Sequence, residues 1–554
     1  MLANLRVSVR SLHVSWLTLG ALFIGALVMA PVVSVVLAAL APDKGSIAHL
    51  ASTTLPDCIL NTAVLVIGVG LGTMIIGTGT AWLVTMCSFP GRGFFEWALI
   101  VPLAMPAYII AYAYTDFLSH PGPVQTLLRD LTGWGPRDYW FPNVRSVGGA
   151  VTMFVFVFYP YVYLMARTAF LQQSSCHLAA SRVLGASAWS TFWSVALPLA
   201  RPAIAGGLTL ALMETLADFG AVSHFAVQTF TTGIYRALIS MYDTVAAAQL
   251  SVMLLGFVVV ILAVERLERS RARYASGVTR ELPRYHMRGA AAWGAVLACT
   301  LPVLLGFLLP TVILLHLSWM DGHEIISDRY LHLTLNSVTL AALAAFAVTI
   351  FAFALCYAAR AQHGPLTRFV SQFSRLGYAV PGTVIAIGII VPMATMDNAI
   401  DSLLRETLGI SPGLLLTGSI AALIFAYVVR FLAVGLNGIE AGFEKVPLRY
   451  DEVARTLGRK RLSVVPSIHF PLLRGPFLAV MLLVFVDVMK ELPATLILRP
   501  FNYDTLAIQA YRLASDERLA QASTPSLILV MAGLLPVILI SRRIRSSVRT
   551  PAPG

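Results

Sequence analysis

Two apolar stretches of the chain each carry a pair of acidic residues four positions apart. Glu214 and Asp218 lie in ALMETLADFGA, and Asp487 and Glu491 lie in VFVDVMKELPATLIL. Residues four apart share one face of a helix. Acids inside membrane helices are rare, and they usually face the bundle interior or a water-filled path. The pattern therefore predicts a translocation path bordered by both acidic pairs.

Four carboxylates around one path suit a hard, highly charged cation, because such ions prefer anionic oxygen ligands. We expect transient metal contacts at Glu214, Asp218, Asp487 and Glu491. Two other interpretations stay open. Structural ion pairs could hold parts of the protein together, with Lys490 pairing to Asp487 on the same helix. The carboxylates could also act through gating alone.

The elements that position these acids are long apolar segments. The chain has 554 residues, of which 58% are hydrophobic and 12% are charged, and its mean hydropathy is +0.79. Soluble domains average about 45–50% apolar and about 25% charged residues. The composition therefore predicts an all-α polytopic membrane protein. Twelve spans are expected, near 14–40, 60–86, 96–118, 147–170, 201–224, 245–265, 291–317, 335–358, 376–397, 414–437, 473–498 and 524–541.

Lys and Arg mark one side of the membrane. The basic segments are the N-terminus, 266–288, 360–375, 439–474 and the tail SRRIRSSVR, and all fall on one side of a twelve-span arrangement. Because basic connections stay in the cytoplasm, both termini are expected there. The net charge of +12 is then a topology signal with a possible role in binding anionic lipid, and no nucleic-acid partner is expected.

The chain divides into two similar halves, 1–265 and 289–554, joined by the basic linker 266–288. A shift of 273 aligns AASRVLGASAWSTFWSVALPLAR with EVARTLGRKRLSVVPSIHFPLLR, and it also aligns the two acidic pairs. Each half has six spans, so the repeat is parallel. Such a repeat implies a pseudo-two-fold axis along the membrane normal, with the path between the halves.

The aligned stretches share a glycine followed by a proline thirteen residues later. These are Gly185 with Pro198 and Gly458 with Pro471. The glycine can end a short helix with positive φ, and the proline is expected to set the start of the next span. Ordinary amphipathic helices on the membrane surface are the alternative interpretation.

EVARTLG with IHFP resembles the EAA loop of permease subunits in ATP-binding-cassette importers, and AASRVLG with VALP resembles a weaker copy. The resemblance implies two fused six-span type I permease halves, with EAA-like loops at about 171–200 and 439–474. Coupling helices at about 175–184 and 448–457 would dock on the ATPase. The first copy has Ala179 where the glutamate would stand, so coupling could be unequal. The implied coupling residues are Ala179, Arg182, Gly185, Pro198, Glu452, Ala454, Arg455, Gly458 and Pro471.

METLADFG with TFTTGIYRA, and DVMKELPATLILRPFNYDTLA, are similar to the fused permeases for ferric iron. The resemblance implies a permease in the bacterial inner membrane rather than an enzyme. It would work with a periplasmic binding protein and two copies of a cytoplasmic ATP-binding subunit. The sequence contains no GxxxxGK[ST] loop, so no cofactor is expected in this chain and ATP-Mg belongs to the partner. Thiamine or phosphonate import, and a secondary transporter driven by an ion gradient, are the alternatives.

Two corresponding polar and aromatic loops follow the fifth and eleventh spans. Tyr235-Arg236 recurs as Tyr511-Arg512. Because Tyr and Arg are enriched in protein interfaces, we expect these residues to dock the two lobes of the binding protein. The alternative is that each loop packs on its own bundle.

Overall fold

The computed structural model describes residues 16–42, 46–173, 180–181, 183–270, 284–320, 328–362, 365–459 and 461–549. Within these ranges, eleven helices are long and apolar enough to cross a membrane. The helices Arg92–Ala104 and Ala107–Thr132 form a twelfth span if this pair, bent by 90°, is counted as one. The predicted all-α architecture of about twelve spans is confirmed.

The helices of the first half are α1 Trp16–Ala39, α2 Ser46–Thr53, α3 Leu55–Met86, α4 Arg92–Ala98, α5 Ala107–Leu118, α6 Pro123–Thr132, α7 Val147–Gln172, α8 Ala188–Ala217, α9 Gly220–His224, α10 Phe230–Tyr235 and α11 Thr244–Ser270. Those of the second half are α12 Ala290–Met320, α13 Asp328–Gln362, α14 Pro365–Ser374, α15 Gly382–Leu408, α16 Ile420–Glu444, α17 Arg449–Thr456, α18 Val465–Met489, α19 Pro493–Leu498, α20 Leu506–Ser515 and α21 Leu519–Arg549.

The two halves repeat each other in local detail. Helices α7 and α16 both begin after a serine, and the two serines, Ser146 and Ser419, are 273 positions apart. The serine hydroxyl accepts a hydrogen bond from the third following amide at 3.2 Å in each case. Such caps satisfy amides that lack a partner in the first helical turn. The shift of 273 that aligns the two sequences therefore also aligns the starts of these two helices.

Prolines interrupt the third span of each half at equivalent points. Pro106 and Pro381 both take extended backbone angles and precede a helix, α5 and α15 respectively. A 3₁₀ turn ends shortly before each of them, at Val101–Ala104 and at Arg375–Ala379. Because proline lacks an amide hydrogen and restricts the residue before it, the helix cannot run through. Both breaks place a helix start near the centre of the bundle.

The fifth and eleventh spans differ from the expectation at both ends. The predicted segments 201–224 and 473–498 are replaced by α8 and α18, which end earlier, at Ala217 and Met489. Both spans also begin before their prolines, while Pro198 and Pro471 lie in the first turn of the regular α-helical part, Leu197–Ala217 and Phe470–Met489. A π-helical turn precedes each proline, at Phe192–Ala196 and Val465–His469. The wider turn lets the chain stay helical where proline cannot donate.

The end of the linker is attached to the first half. Strand β1, Cys87–Ser88, pairs in parallel with β2, Tyr285–His286. Residues 271–283 of the linker lie outside the described ranges. The four cysteines of the described ranges are buried and free, as is typical of small core residues.

Candidate functional site: a charged cavity between the halves

A small cavity of about 90 Å³ lies between the two halves. All four sequence-predicted acids line it, so the repeat does bring both acidic pairs to one place. Two cations line it as well, which leaves a formal charge of −2 if all six groups are ionised. The charged residues of the lining are Glu214, Asp218, Arg430, Asp487, Lys490 and Glu491.

Asp218 and Glu491 lie between two helices, after the end of α8 or α18 and just before the short helix α9 or α19. Neither acid therefore shares a helix face with the acid four residues before it. Asp218 follows the end of α8 and accepts hydrogen bonds from the amides of Ala221 at 2.8 Å and Val222 at 3.3 Å. Glu491 accepts from the amides of Ala494 at 2.9 Å and Thr495 at 3.0 Å. The expectation of two acids on one continuous helix face is therefore wrong. A carboxylate that can satisfy the free amides of the next helix favours ending the first.

Asp218 is partly exposed in the cavity, and so are Glu214 and Asp487. The side chains of Glu214 and Asp487 are 26% and 28% exposed, whereas that of Glu491 is 1% exposed. Asp487 pairs with Lys490 at 3.0 Å on the same chain segment, as one of the two alternative interpretations proposed. The repeat thus separates two roles, because, among the described residues, Glu214 and Asp487 bind side chains only, whereas Asp218 and Glu491 bind backbone amides.

Arg430 is the central residue that the sequence reasoning missed. Its guanidinium lies 3.2 Å from Glu491 and 4.0 Å from Glu214, so it reaches carboxylates of both halves. Its position in α16 corresponds to Val157 of the first half under the shift of 273. The signal was present, because an arginine within the apolar run IFAYVVRFLAV is rare at membrane depth and points to a paired or functional site.

Two glycines make room for this arrangement. A Cβ at Gly382 would lie 2.3 Å from Arg430 Nη1 and 2.8 Å from Glu491 Oε1. A Cβ at Gly220 would lie 2.7 Å from Leu492 of the other half. A Cβ atom essentially never lies this close to another heavy atom, so a side chain at Gly382 would displace the ion pair and one at Gly220 would push the halves apart.

The four acids do not form a preformed metal-ligand set. In the part of the chain that the structure describes, no three His, Cys, Asp or Glu side chains come together to hold a metal ion. The carboxylates are instead occupied by Arg430, Lys490 and helix amides. A transient contact with a passing cation stays a prediction, and it would require Glu214 or Asp487 to exchange its present partner.

A second cavity, the vestibule, opens between the halves below the acids. Its volume is about 1200 Å³, and its lining includes Gln172, Arg269 and Asn437 near helix ends on the side of the basic connections. Tyr161 lines both cavities. Tyr378 also lines the vestibule and donates a hydrogen bond of 2.7 Å to Glu214. These two tyrosines therefore separate the acids from the vestibule.

Aromatic rings from both halves cover the opposite side of the acids. Phe219, next to Asp218, lies 4.6 Å from the ring of Tyr235 and 5.8 Å from that of Tyr511. Burial raises the pKa of the Tyr235 hydroxyl above its ordinary value. Both tyrosines are half-buried in this contact, whereas Arg236 and Arg512 are exposed. Of the four predicted docking residues, the arginines are thus the accessible ones, and docking stays a prediction.

The second EAA-like loop forms the short helix α17 that the sequence predicted. Gly458 follows it with φ of +75°, and the amide of Arg459 donates to the carbonyl of Ala454 at 3.0 Å. The first loop repeats this turn, because Gly185 has φ of +79° and the amide of Ala186 donates to Ser181 at 3.1 Å. Both glycines therefore end a helical turn in the same left-handed geometry.

The surfaces of these turns expose apolar side chains. Leu184 and Leu457, which correspond under the repeat, are 85% and 75% exposed. Glu452 and Arg455 are exposed, Ala454 is buried, and Ala179 and Arg182 lie outside the described residues. Exposed apolar groups at matched positions are typical of a contact surface.

Together, the parallel repeat, the central charged cavity and the paired loops define a polytopic membrane permease made of two fused halves. The family model for the binding-protein-dependent transport system inner membrane component matches residues 73–273 and 354–549. The chain belongs to this family of importer permeases, and it is a multi-pass protein of the inner membrane.

Individual relatives extend the comparison to as much as 95% of the chain. The Fe(3+)-transport system permease protein FbpB 2 of Haemophilus influenzae is 26% identical over 95% of this chain and 98% of its own length. The ferric transport system permease protein FbpB of Actinobacillus pleuropneumoniae is 23% identical over 75% of this chain and 60% of its own. The molybdenum transport system permease protein ModB of Escherichia coli is 26% identical over 36% of this chain and 90% of its own.

Proposed function

We propose that this permease imports ferric iron by alternating access between its halves. A periplasmic binding protein delivers the ion, and two copies of a cytoplasmic ATP-binding subunit, which hold ATP-Mg, drive the cycle. Both termini and the basic connections lie in the cytoplasm, so the vestibule is the exit. The chain itself binds no cofactor.

The observation that carries this proposal is the charge of the central cavity. Its formal charge of −2, with Glu214 and Asp487 partly exposed, favours a cation over an anion as the passing ion. The similarity over nearly the full length of the Haemophilus influenzae Fe(3+)-transport permease supports iron as that cation.

Uptake of labelled ferric ion in a strain lacking the gene tests the proposal. The wild-type gene should restore uptake, whereas Glu214→Gln and Asp487→Asn should lower it by about tenfold or more while membrane abundance is unchanged. The exposed acid Asp130 provides the control, because Asp130→Asn removes a carboxylate far from the cavity. Normal uptake by both cavity variants would contradict a path through these acids.

A second candidate is import of an oxyanion. Arg430 and Lys490 line the same cavity, and the similarity to the molybdenum permease covers 90% of that protein. The same strain, supplied with labelled molybdate, separates the two. Restoration of molybdate uptake without ferric uptake would replace iron by an oxyanion as the cargo.

A further inference from the structure

An ionic cluster lies beneath the second coupling helix, α17. Asp451 of that helix accepts a hydrogen bond from Arg360 Nε at 2.8 Å through one oxygen. Its other oxygen lies 2.7 Å from Nε2 of His469. Arg360 belongs to the end of α13, and His469 belongs to the beginning of α18. One carboxylate therefore joins the coupling helix to two membrane spans.

Arg360 also binds the end of a third span, α16, and the connection that follows it. Arg360 Nη1 and Nη2 donate to the carbonyls of Phe443 and Pro447, both at 3.2 Å. The guanidinium lies 5.2 Å from the centre of the Phe443 ring. The last carbonyls of a helix lack partners within it, so a cation at this point is favourable. With its side chain 10% exposed, Arg360 is a shielded junction of α13, α16 and α17.

The histidine has a single polar link. His469 is 1% exposed and lies between the rings of Tyr357 and Phe443, with both centroids 5.5 Å away. Its Nδ1 is buried without a hydrogen-bond partner in the described ranges. This geometry fits the neutral imidazole with its hydrogen on Nε2, donated to Asp451. This hydrogen bond therefore links α17 directly to the start of α18.

Among the described residues of the first half, the matching positions do not repeat this ionic cluster. In the second span of each half, LNTAVLVIG (60–68) aligns with LNSVTLAAL (335–343) at a shift of 275, so Thr85 stands for Arg360 and Trp82 for Tyr357. Under the shift of 273, Ala196 stands for His469. Trp82 packs against Phe170 at 5.6 Å and Phe192 at 5.2 Å. The equivalent position is thus an apolar aromatic cluster, whose contacts are less directional than charge-assisted hydrogen bonds.

We propose that Asp451, rather than its neighbour Glu452, is the positioning residue that transmits movement from the second coupling helix to the membrane spans. It acts through Arg360 and His469. The inference rests on the proposed coupling of this permease to an ATPase, but not on iron as the cargo. It also makes coupling through this cluster one-sided, since the aligned residues of the first half, Leu178, Thr85 and Ala196, carry no charge.

The test uses the full-length chain in complex with its co-purifying ATPase subunits in proteoliposomes. Spin labels at Gln172 and Asn437, which line the vestibule from opposite halves, report its width before and after a non-hydrolysable ATP analogue is added. Uptake of labelled ferric ion per ATP hydrolysed is measured in parallel. Asp451→Asn and Arg360→Met should reduce the nucleotide-driven change and the uptake per ATP by about tenfold, with hydrolysis retained.

Asp451→Glu should recover part of both signals, and Glu444→Gln, which removes an exposed acid nearby, should behave as wild type. If Asp451→Asn fails to assemble, His469→Phe decides, because phenylalanine suits the aromatic site and removes only the hydrogen bond. A nucleotide-driven change within about twofold of wild type in the assembled variant would overturn the inference. Failure of the wild type to take up ferric ion, with its nucleotide-driven change intact, would overturn iron as the cargo and leave the inference standing.

Discussion

Glu214 and Glu491 come from different halves, and one guanidinium lies between them. Arg430 is buried with 9% of its side chain exposed, and a charge at that depth requires partners. Tyr378 adds a hydrogen bond to Glu214, while helix amides hold Glu491. The charges therefore compensate each other across the interface between the halves, and this compensation fixes how the halves meet.

Replacing Arg430 should lower the free energy of unfolding, because it removes the cation paired with Glu491. Arg430→Met leaves Glu491 buried without its cation, and removal of one partner of a buried pair costs about 3–5 kcal/mol. Thermal unfolding in detergent should show a large loss, partly reversed by adding Glu491→Gln. The surface pair of Arg405 with Asp401, where the arginine side chain is 66% exposed, provides the control, since Arg405→Met should cost about 0–1 kcal/mol. Equal losses in the two variants would contradict a special role for Arg430.

Gly382 offers a test of the same pair without changing a charge. Gly382→Ala forces a methyl group into the space of the Arg430–Glu491 contact, and such overpacking costs about 1–3 kcal/mol. A Cβ at Gly294 meets nothing within 4 Å, so Gly294→Ala should be neutral or slightly stabilising. The same unfolding measurement compares them. If both alanines are tolerated equally, the close approach at Gly382 is not a constraint on the fold.

Among the elements, the broken helices set the geometry of the site. Both α8 and α18 stop at the centre of the bundle, and the short helices α9 and α19 begin there. Each short helix has its first amides satisfied by an acid of the repeat, Asp218 or Glu491. The third span of each half is also interrupted, at Pro106 and Pro381. Four helix starts therefore surround the cavity.

The cap of α9 should depend on the oxygen of Asp218 and not on its charge. Asp218→Ala removes the acceptor and should cost about 0.5–2 kcal/mol, whereas Asp218→Asn keeps an acceptor and should cost less. Membrane abundance and unfolding temperature measure this order. An asparagine variant as unstable as the alanine variant would show that the negative charge itself is required.

At the level of the whole molecule, the positions of the two cavities show on which side the space between the halves is open. The vestibule reaches toward the acids from the side of the basic connections, while Phe219 and its two tyrosine neighbours cover the opposite side. Tyr161 and Tyr378 lie as a layer between the vestibule and the acids. The structure is therefore open toward the basic side and closed on the other.

Removing one hydroxyl from this layer should make the acids more accessible. Tyr378→Phe deletes a hydrogen bond to a carboxylate, which contributes about 1.5–3 kcal/mol. A cysteine introduced at Ala217, which lines the cavity, should then react about tenfold faster with a water-soluble maleimide supplied from the vestibule side. Tyr503→Phe removes a hydroxyl that bonds the carbonyl of Asn336 and should leave the rate unchanged. An unchanged rate in Tyr378→Phe would mean that the layer does not depend on this bond.

The sequence by itself determined the number of spans, the parallel repeat, the two acidic pairs and the glycine-ended turns. These follow from the length of apolar runs, from internal similarity and from the backbone freedom of glycine, which are local properties. Only the tertiary structure decided which acids bind helix amides, which bind side chains alone, and that Arg430 contacts both Glu214 and Glu491. Arg430 contacts Glu491 across 61 positions of chain, and Tyr378 contacts Glu214 across 164. Pairings over such separations depend on how whole helices pack, and no local pattern specifies them.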